Sequence, residues 1–345
     1  MKQQRLDALF GQSTSVHEET EEHGCLEVFD FFCGAGGFST GASSAGCKVV
    51  YACDNNEDAL ETHRRNHPEA EHVCAQLPVP SIPFPTDGRR FHVHGSPPCQ
   101  KFSRCNHGTA SNDEISSATN MVEWFVLTAM QSGATSWSME EVHSSKIVKI
   151  LEKIRQKHRS KIAYDVFHCV DYGIPQTRKR LLAGTPSLIA KLQRLRHRVA
   201  RRCVRDVISN PRGTHIRDSK SNISMRKKAN PQPGEAKYTY EKASLGDNCT
   251  SIDNPAPTIP TIGAAWVTKE HGKRAHSRLP MLPVEVAALQ TFPADYKWPA
   301  RKELALRQIG NAVPPFLAQL LMQPEEHAVA EVARPVSPSL ALHPE

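Results

Sequence analysis

The chain has 345 residues, 43 Lys and Arg against 36 Asp and Glu, and a net charge of +7 at pH 7. This length can bury a large core without disulfide or metal staples. The ten cysteines contain neither a C-x-x-C pair nor a zinc-type spacing, so we expect free thiols in a reducing compartment and no metal site. No run approaches the ~20 apolar residues of a membrane span, and no signal peptide is recognisable. The sequence therefore predicts a soluble, intracellular protein without a membrane partner.

The positive charge is concentrated in one stretch. Between Lys191 and Asn230 there are 13 Lys and Arg against the two acids Asp206 and Asp218, which gives this stretch a charge of +11. Such a block is usually a solvated surface, but it is also typical of a phosphate-binding face. The charge alone is therefore compatible with nucleic acid as a partner but does not establish it.

The first half of the chain alternates between two patterns. Residues 1–24 are polar and predict a flexible acidic arm. Short apolar runs at 26–32, 48–54, 91–96 and 135–142 predict strands, and helical spacing follows at 55–67, 116–130 and 144–158. Two further extended pieces lie at 162–170 and 178–184. This alternation predicts an α/β fold with a mostly parallel sheet.

The character of the sequence changes after about Thr185. A basic helix-like stretch at 188–208 leads into an irregular region rich in Gly, Pro, Ser, Asn and Lys, and regular patterning resumes at 283–292 and 311–322. We expect a main domain over 25–208, a small irregular second domain over 209–264, a return to the main domain over 265–323 and a disordered tail over 324–345.

A glycine-rich turn follows the first predicted strand. The segment FCGAGGFSTG (32–41) has glycines at 34, 36, 37 and 41, a spacing that departs from the dinucleotide fingerprint G-x-G-x-x-G. Such a turn lets the backbone approach a ligand and directs a helix N-terminus at it. The second strand ends in Asp54, which either grips ribose hydroxyls or caps the next helix. Together they indicate a cofactor that contains a nucleoside.

The stretch GSPPCQKFS (95–103) mounts a cysteine on two prolines. Pro97 and Pro98 predict a rigid, extended exit from the strand at 91–96, which holds Cys99 at the carboxyl rim of the sheet. Most free cysteines are inert, so Cys99 is a candidate reactive residue only because of the residues predicted near it.

Charged residues are predicted at the same rim. Glu140 and Glu141 close the next strand, and because neighbouring strand residues point to opposite faces, at most one of them faces the cleft. We expect the other to be solvated or to cap a helix. Arg178 and Arg180, in QTRKR, share one face if the segment is extended, although a plain basic surface is an equal alternative. A thiol, a carboxylate and a guanidinium around one cleft suit chemistry on a pyrimidine ring.

These residues carry a family resemblance. The chain resembles the DNA (cytosine-5) methyltransferases in FDFFCGAGGFSTG, GSPPCQKFS, MEEV, DYGIPQTRKR and RQIGNAVPP, which occur in the family's order over about residues 26–323. The resemblance implies a class I S-adenosylmethionine-dependent fold with a Rossmann-like sheet and a small target-recognition domain at 209–264. The cofactor-binding residues that it implies are Phe32, Gly34, Ala35, Gly36, Gly37, Phe38, Asp54, Asn55, Pro97, Asn311 and Val313.

The resemblance also implies a reaction. Cys99 falls at the nucleophile, Glu140 at the acid that engages N3 and the exocyclic amine of cytosine, and Arg178 and Arg180 at the arginines beside the base. The thiolate adds at C6, C5 accepts a methyl group from S-adenosylmethionine, and loss of the C5 proton releases the enzyme. The target base must first leave the stack of double-stranded DNA. We expect a monomer that acts in the nucleus of a eukaryote or the cytoplasm of a prokaryote.

Two positions depart from the family pattern. Glu141 stands where the family has asparagine, and the third strand, near 72–77, lacks the acid that contacts the adenine amine. A second negative charge beside Glu140 would raise the pKa of one of the two carboxyl groups or disturb the loop that carries Cys99. Two alternatives therefore stay open: a catalytically degenerate relative that only binds DNA, and a cytosine-5 methyltransferase of tRNA, although the CFT element of that branch is not found.

Overall fold

The computed structural model describes residues 25–98, 112–213, 215–218, 249–269 and 276–327. The principal sheet has the strand order β3-β2-β1-β4-β5-β7-β6, in which β7 is antiparallel to β5 and β6 and all other pairs are parallel. The predicted α/β fold with a mostly parallel sheet is thus confirmed. The strands are β1 (Glu27–Phe31), β2 (Lys48–Asp54), β3 (Glu71–Cys74), β4 (Phe91–Gly95), β5 (Ser136–Glu141), β6 (Ala163–His168) and β7 (Lys179–Gly184).

Helices cover both faces of this sheet. One core layer joins Val28 of β1 to helices α1, α5 and α8, and the other joins Phe29 of β1 to α3 and α4. Both faces of β1 are therefore buried, as expected for a central parallel strand. The helices are α1 (Gly37–Ser44), α2 (Glu57–Asn66), α3 (Asn112–Gln131), α4 (Ser145–Lys157), α5 (Pro186–Leu195), α6 (Pro283–Leu289), α7 (Lys302–Asn311) and α8 (Pro315–Met322), with 3₁₀ turns at Cys169–Tyr172 and Val204–Asp206.

A second, antiparallel sheet follows the main one. Its strands are β8 (His215–Asp218), β9 (Cys249–Ser251), β10 (Ala264–Lys269) and β11 (His276–Pro280), in the order β11-β10-β8-β9. The fully buried Trp266 packs with Ile216 and with Val286 of α6 in a third core cluster. Strand β10 begins at Ala264 and β11 follows it, so the second sheet extends past the boundary predicted for the recognition domain.

The basic stretch at 188–208 is not one helix. Helix α5 ends at Leu195, Arg196 has extended backbone angles and His197 has a φ of 62°. The Arg196 guanidinium donates to Asp165 Oδ2 at 2.9 Å and to the Val166 carbonyl at 3.3 Å, and these contacts with β6 take the place of further helical turns. The predicted helical continuation to residue 208 is therefore wrong.

Several predictions fall outside the described residues. These are the acidic arm at 1–24, the nucleophile Cys99, most of the recognition segment, at 219–248, and the tail from residue 328 onward. Within the described ranges, no helix is long and apolar enough to cross a membrane.

Candidate active site

The glycine turn leaves β1 through three left-handed residues. Phe32, Gly34 and Gly36 have φ angles of 54°, 54° and 90°. A Cβ placed on Gly34 would meet no atom within 4 Å, so a side chain there would extend into open space. Gly36 is instead enclosed, because its Cβ would lie 2.9 Å from the Tyr296 hydroxyl and 3.1 Å from His63. The turn thus presents bare backbone on one side and is supported on the other.

Helix α1 begins directly against the link between α7 and α8. A Cβ on Gly37 would lie 2.3 Å from the Val313 carbonyl oxygen, and one on Gly41 would lie 2.1 Å from that of Pro315. Only glycine permits this approach. The close contact brings the segment GNAVPP (310–315), from the far end of the chain, to the glycine turn.

The end of β2 supports the same turn. The Asp54 carboxylate accepts hydrogen bonds from the Gly34 and Asn56 amides, each at 2.9 Å, and burial raises the pKa of Asp54. Asn56, rather than Asp54, caps α2 by accepting from the Ala59 amide. Asn55 donates to Gln76 at 2.7 Å, so a neutral side chain follows β3 where the family has an acid.

One cavity of about 210 Å³ opens between these elements. Its wall combines the turn after β1, the end of β2, the exits of β4 and β5, and helix α7 with the link to α8. The residues that line it are Asp30, Phe32, Cys33, Gly34, Ala35, Gly37, Phe38, Asp54, Asn55, Asn56, Ala59, Ser96, Pro97, Pro98, Glu140, Leu304, Arg307, Gln308, Asn311, Ala312 and Val313. Of the predicted cofactor residues Gly36 alone is not among them, because it lies behind the turn.

The exit of β4 reaches this cavity. The Ser96 amide donates to the Phe31 carbonyl at 3.2 Å, and Ser96, Pro97 and Pro98 all line the cavity. Because Cys99 is the next residue, the described chain leads to the cavity rim and ends one residue before the predicted nucleophile.

Glu140 lies at the same rim, opposite the prolines along the sheet edge. It is buried, lines the cavity and forms an ion pair with Arg180, whose Nε lies 2.6 Å from Glu140 Oε1. Both side chains are largely withdrawn from solvent, which strengthens the attraction between their charges. Arg180 therefore places a positive charge directly against the buried Glu140 carboxylate.

Glu141 corrects an expectation. Its side chain is on the opposite face of β5, as predicted, but it is fully buried and neither solvated nor a helix cap, since Ser144 caps α4. Glu141 Oε2 accepts from the Val142 amide at 2.6 Å, and burial followed by the charge of Glu140 raises the pKa of Glu141 well above its usual range. Burial therefore favours the protonated, neutral form of this second carboxyl group inside the core.

Arg178 is separated from Arg180. Its buried guanidinium donates to the Gly310 carbonyl at 3.1 Å and to the Ala312 carbonyl at 3.0 Å. It thus fastens the start of β7 to the link between α7 and α8. Neither Arg178 nor Arg180 lines the cavity, so the two arginines contact its wall from behind.

The sequence reasoning missed Asp30, which also lines the cavity. Its carboxyl accepts from the Ser39 hydroxyl at 2.6 Å, and burial raises the pKa of Asp30 to about 7. Its position in the alternating run EVFDF was a usable signal, because an acid inside an apolar parallel strand is rare. In the described part of the chain, no group of three or more His, Cys, Asp or Glu has the arrangement needed to hold a metal.

The strand order, the antiparallel β7 and the glycine turn after β1 define a class I S-adenosylmethionine-dependent methyltransferase fold. The family model described as C-5 cytosine-specific DNA methylase matches residues 26–324. The chain therefore belongs to the C-5 cytosine-specific DNA methylases, which are enzymes.

Relatives agree with this assignment. The type II methyltransferase M.HgiDI of Herpetosiphon aurantiacus is 27% identical over 317 residues, which cover 86% of this chain and 93% of that protein. The type II methyltransferase M.HindV of Haemophilus influenzae is 25% identical over 322 residues, covering 86% and 95%. Among solved structures, the S. pombe Dnmt2 methyltransferase superposes with a TM-score of 0.58 at 16% identity, covering 86% of this chain and 97% of that one. This last likeness is one of fold.

Proposed function

We propose that this enzyme transfers a methyl group from S-adenosylmethionine to C5 of cytosine in double-stranded DNA, through a covalent bond between Cys99 and C6 of the base. One observation carries the proposal: the glycine turn and Asp54 open into the same cavity as Pro97, Pro98 and Glu140. A cofactor site and a base site would therefore share one space, as direct transfer between two bound molecules requires.

The residues present fit the cofactor. The open side of Gly34 leaves room for a ligand against bare backbone, and the Asp54 carboxylate lines the cavity, where its remaining lone pairs could accept from ribose hydroxyls. Phe32, Gly34, Ala35, Gly37, Phe38, Asp54, Asn55, Pro97, Asn311 and Val313 would hold it, with Gly36 shaping the turn. When bound, S-adenosylmethionine supplies an electrophilic methyl group.

The remaining chemistry belongs to residues of the chain. Cys99, mounted after Pro97 and Pro98, would add to C6 as the thiolate. Glu140 would engage N3 and the exocyclic amine, which draws electrons from the ring and makes C6 a better electrophile. Arg180 supports this role by compensating the charge of Glu140 through the 2.6 Å ion pair, and Arg178 supports it by fixing the start of β7.

The DNA-binding role is assigned to the second domain. We infer that residues 209–264, together with the antiparallel sheet to which they contribute, contact phosphates and base edges, because residues 209–230 carry six Lys and Arg against the single acid Asp218. The target base would turn out of the duplex into the cavity. We further infer that the enzyme acts as a monomer inside the cell, in the nucleus of a eukaryotic host or the cytoplasm of a prokaryotic one.

The experiment is transfer of a labelled methyl group from S-adenosylmethionine to unmethylated duplex DNA, with bisulfite sequencing of the product. We expect 5-methylcytosine at a recurring short sequence, and loss of transfer in Cys99→Ser. Cys74→Ser is the matched control, because Cys74 is an exposed free thiol that does not line the cavity.

Two outcomes would contradict the proposal. Transfer that survives in Cys99→Ser would exclude the covalent route. Absence of transfer to DNA in the wild type, with cofactor binding intact, would exclude the activity, and a parallel assay on tRNA would then separate an RNA enzyme from a degenerate DNA-binding relative.

A further inference from the structure

The two strands next to the catalytic rim carry a row of histidines and serines. His92 and His94 of β4 pair in register with Ser136 and Ser138 of β5. Strands in the middle of a parallel sheet normally present apolar side chains on both faces. Here His92, His94 and Ser138 are at most 1% exposed, so the row is a polar strip inside the core.

The strip is a continuous chain of hydrogen bonds. Ser136 Oγ lies 2.8 Å from His92 Nδ1, and His92 Nε2 lies 2.9 Å from Ser138 Oγ. Ser138 Oγ also lies 2.8 Å from His94 Nδ1, and His94 Nε2 lies 3.2 Å from Ser96 Oγ. We call these five side chains the Ser–His ladder. Every ring nitrogen in it has a partner.

The two ends of the ladder lie in different surroundings. Ser96 lines the cavity beside Pro97, while Ser136 lies at the opposite, amino-terminal end of β5. Both end residues are partly exposed, whereas the three between them are buried. The ladder therefore joins the cavity to solvent at the far edge of the sheet.

The histidines in the ladder are neutral. Burial lowers the pKa of His92 to about 3 and lowers the pKa of His94 well below its usual value. Phe38 stacks on the His94 ring, with centroids 3.4 Å apart and planes at 1°, which fixes the plane of that imidazole. A neutral imidazole has one donor and one acceptor nitrogen, and a hydroxyl can do both. The ladder can therefore be oriented with all donors pointing to Ser136 or all pointing to Ser96.

We propose that the Ser–His ladder is a proton relay that carries the C5 proton of the methylated cytosine out of the cavity. This inference rests on the proposed function, in which C5 holds both a proton and the new methyl group after transfer. The C5–H bond then breaks, its electron pair forms the C5–C6 double bond, the C6–S bond breaks, and its electron pair leaves with Cys99 as thiolate. The proton needs an acceptor at the cavity, and Ser96 is the residue that joins the cavity to the ladder.

The transfer balances along the ladder. Ser96 Oγ takes the C5 proton, directly or through one water, and passes its own proton to His94 Nε2. His94 Nδ1 then gives its proton to Ser138, Ser138 gives its proton to His92 Nε2, and His92 Nδ1 releases a proton through Ser136 to water. One proton enters and one leaves, so no charge stays in the core. A reverse shift, in which one proton enters from water at Ser136 and one leaves Ser96 to water in the cavity, restores the first orientation.

The test separates proton loss from the earlier steps. DNA that contains 5-fluorocytosine forms the covalent adduct and accepts the methyl group but has no C5 proton to lose, so its rate of trapping does not depend on a relay. We compare that rate with the single-turnover rate of 5-methylcytosine release from cytosine DNA. For Ser138→Ala we expect unchanged trapping and release slowed by about tenfold or more, within the range of lost acid–base assistance.

Control variants distinguish a relay from a packing role. Ser138→Thr keeps the hydroxyl and is expected to restore release to near the wild-type rate. Ser136→Ala lies far from the cavity and is partly exposed, so it can be used if Ser138→Ala does not fold, and it is expected to slow release alone. Equal slowing of trapping and release, or no change in their ratio, would overturn the relay. Absence of trapping in the wild type would instead overturn the proposed function on which the relay rests.

Discussion

Asp30 combines burial, a cavity-lining position and a raised pKa. The carboxyl is 1% exposed, Ser39 donates to it, and its pKa is about 7. In the unfolded chain the pKa is near 3.8. Between pH 3.8 and about pH 7, Asp30 in the folded state retains a proton that it has lost in the unfolded state. The folding stability therefore falls as the pH rises through this range. The loss is on the order of 4 kcal/mol when complete.

This fall in stability with rising pH leads to a prediction for Asp30→Asn. The variant keeps a hydrogen-bond acceptor for Ser39 without the buried charge, so its stability relative to wild type is expected to increase from pH 5 to about pH 7 and to level off above that pH. Urea denaturation at several pH values would measure the difference. The buried histidines His63 and His67, whose pKa values are lowered, act in the opposite sense in both proteins. His63 Nε2 lies 3.0 Å from Ser39 Oγ, so His63 belongs to the same hydrogen-bond network as Asp30.

Asp87→Asn is the control for that comparison. Asp87 is exposed and paired with Arg89, which lowers its pKa to about 2, so its titration lies below the tested range. Its stability curve is expected to run parallel to wild type from pH 5 to pH 8. A parallel curve for Asp30→Asn as well would mean that Asp30 is already ionised in the folded protein.

At the scale of elements, the contact between α1 and α8 determines the cavity. Gly41 has no room for a methyl group, since its Cβ would lie 2.1 Å from the Pro315 carbonyl and 2.6 Å from the Ala318 Cβ. Intrinsic helix propensity favours alanine over glycine by about 1 kcal/mol. The steric effect is larger, because both helices are buried and neither can move freely.

Gly41→Ala is therefore expected to destabilise the protein by roughly 1–3 kcal/mol, despite the better helix propensity. The shift of α8 would also displace Val313, so cofactor affinity should fall. Thermal unfolding and titration with S-adenosylmethionine would measure both effects. Ser43→Ala, at an exposed position of the same helix, should change neither; an equally stable Gly41→Ala would show that the two helices separate without cost.

The elements were largely predictable from the sequence, whereas contacts between distant segments were not. The runs at 48–54 and 178–184 became β2 and β7 because apolar residues with local turn signals determine strands locally. The partners of Arg178 lie 132 and 134 residues away in sequence, and the burial of Glu141 depends on helices that pack over β5. No local pattern carries that information. The position of Asp30 inside an apolar strand was a usable signal, but its contact with Ser39 appears only once α1 brings Ser39 beside it.

At the scale of the whole molecule, the basic stretch after residue 190 is less available than its charge suggests. Five of its arginines form ion pairs with acids elsewhere in the fold. The pairs are Arg194–Glu325, Arg196–Asp165, Arg201–Asp171, Arg205–Asp253 and Arg212–Glu285. Lys191 is buried and donates to the Leu321 and Gln323 carbonyls at the end of α8. Much of this charge therefore joins parts of the fold to one another, and phosphate binding has to rely on the rest.

Arg178 joins the start of β7 to the link between α7 and α8, across 132 and 134 residues of chain. Arg178→Met should leave the Gly310 and Ala312 carbonyls without this donor and destabilise the fold by roughly 3 kcal/mol, as expected for hydrogen bonds from a buried charged group. Denaturant unfolding would measure the loss. Arg194→Met removes an exposed ion pair and should have little effect, because such pairs contribute little. Similar small losses for both would mean that Arg178 has no anchoring role.

The cavity wall also has a consequence for synthesis. Its residues come from 30–59, 96–98 and 140 and then from 304–313, and Tyr296 donates to the Ala35 carbonyl across 261 residues of chain. A chain leaving the ribosome thus lacks one wall of the cavity until helix α7 has been made. With elongation at ~5–20 residues per second, the catalytic strands are complete several seconds before the cavity can close. A growing or prematurely terminated chain that lacks α7 and Val313 would therefore be unable to modify DNA, and activity would begin only after these residues have left the ribosome.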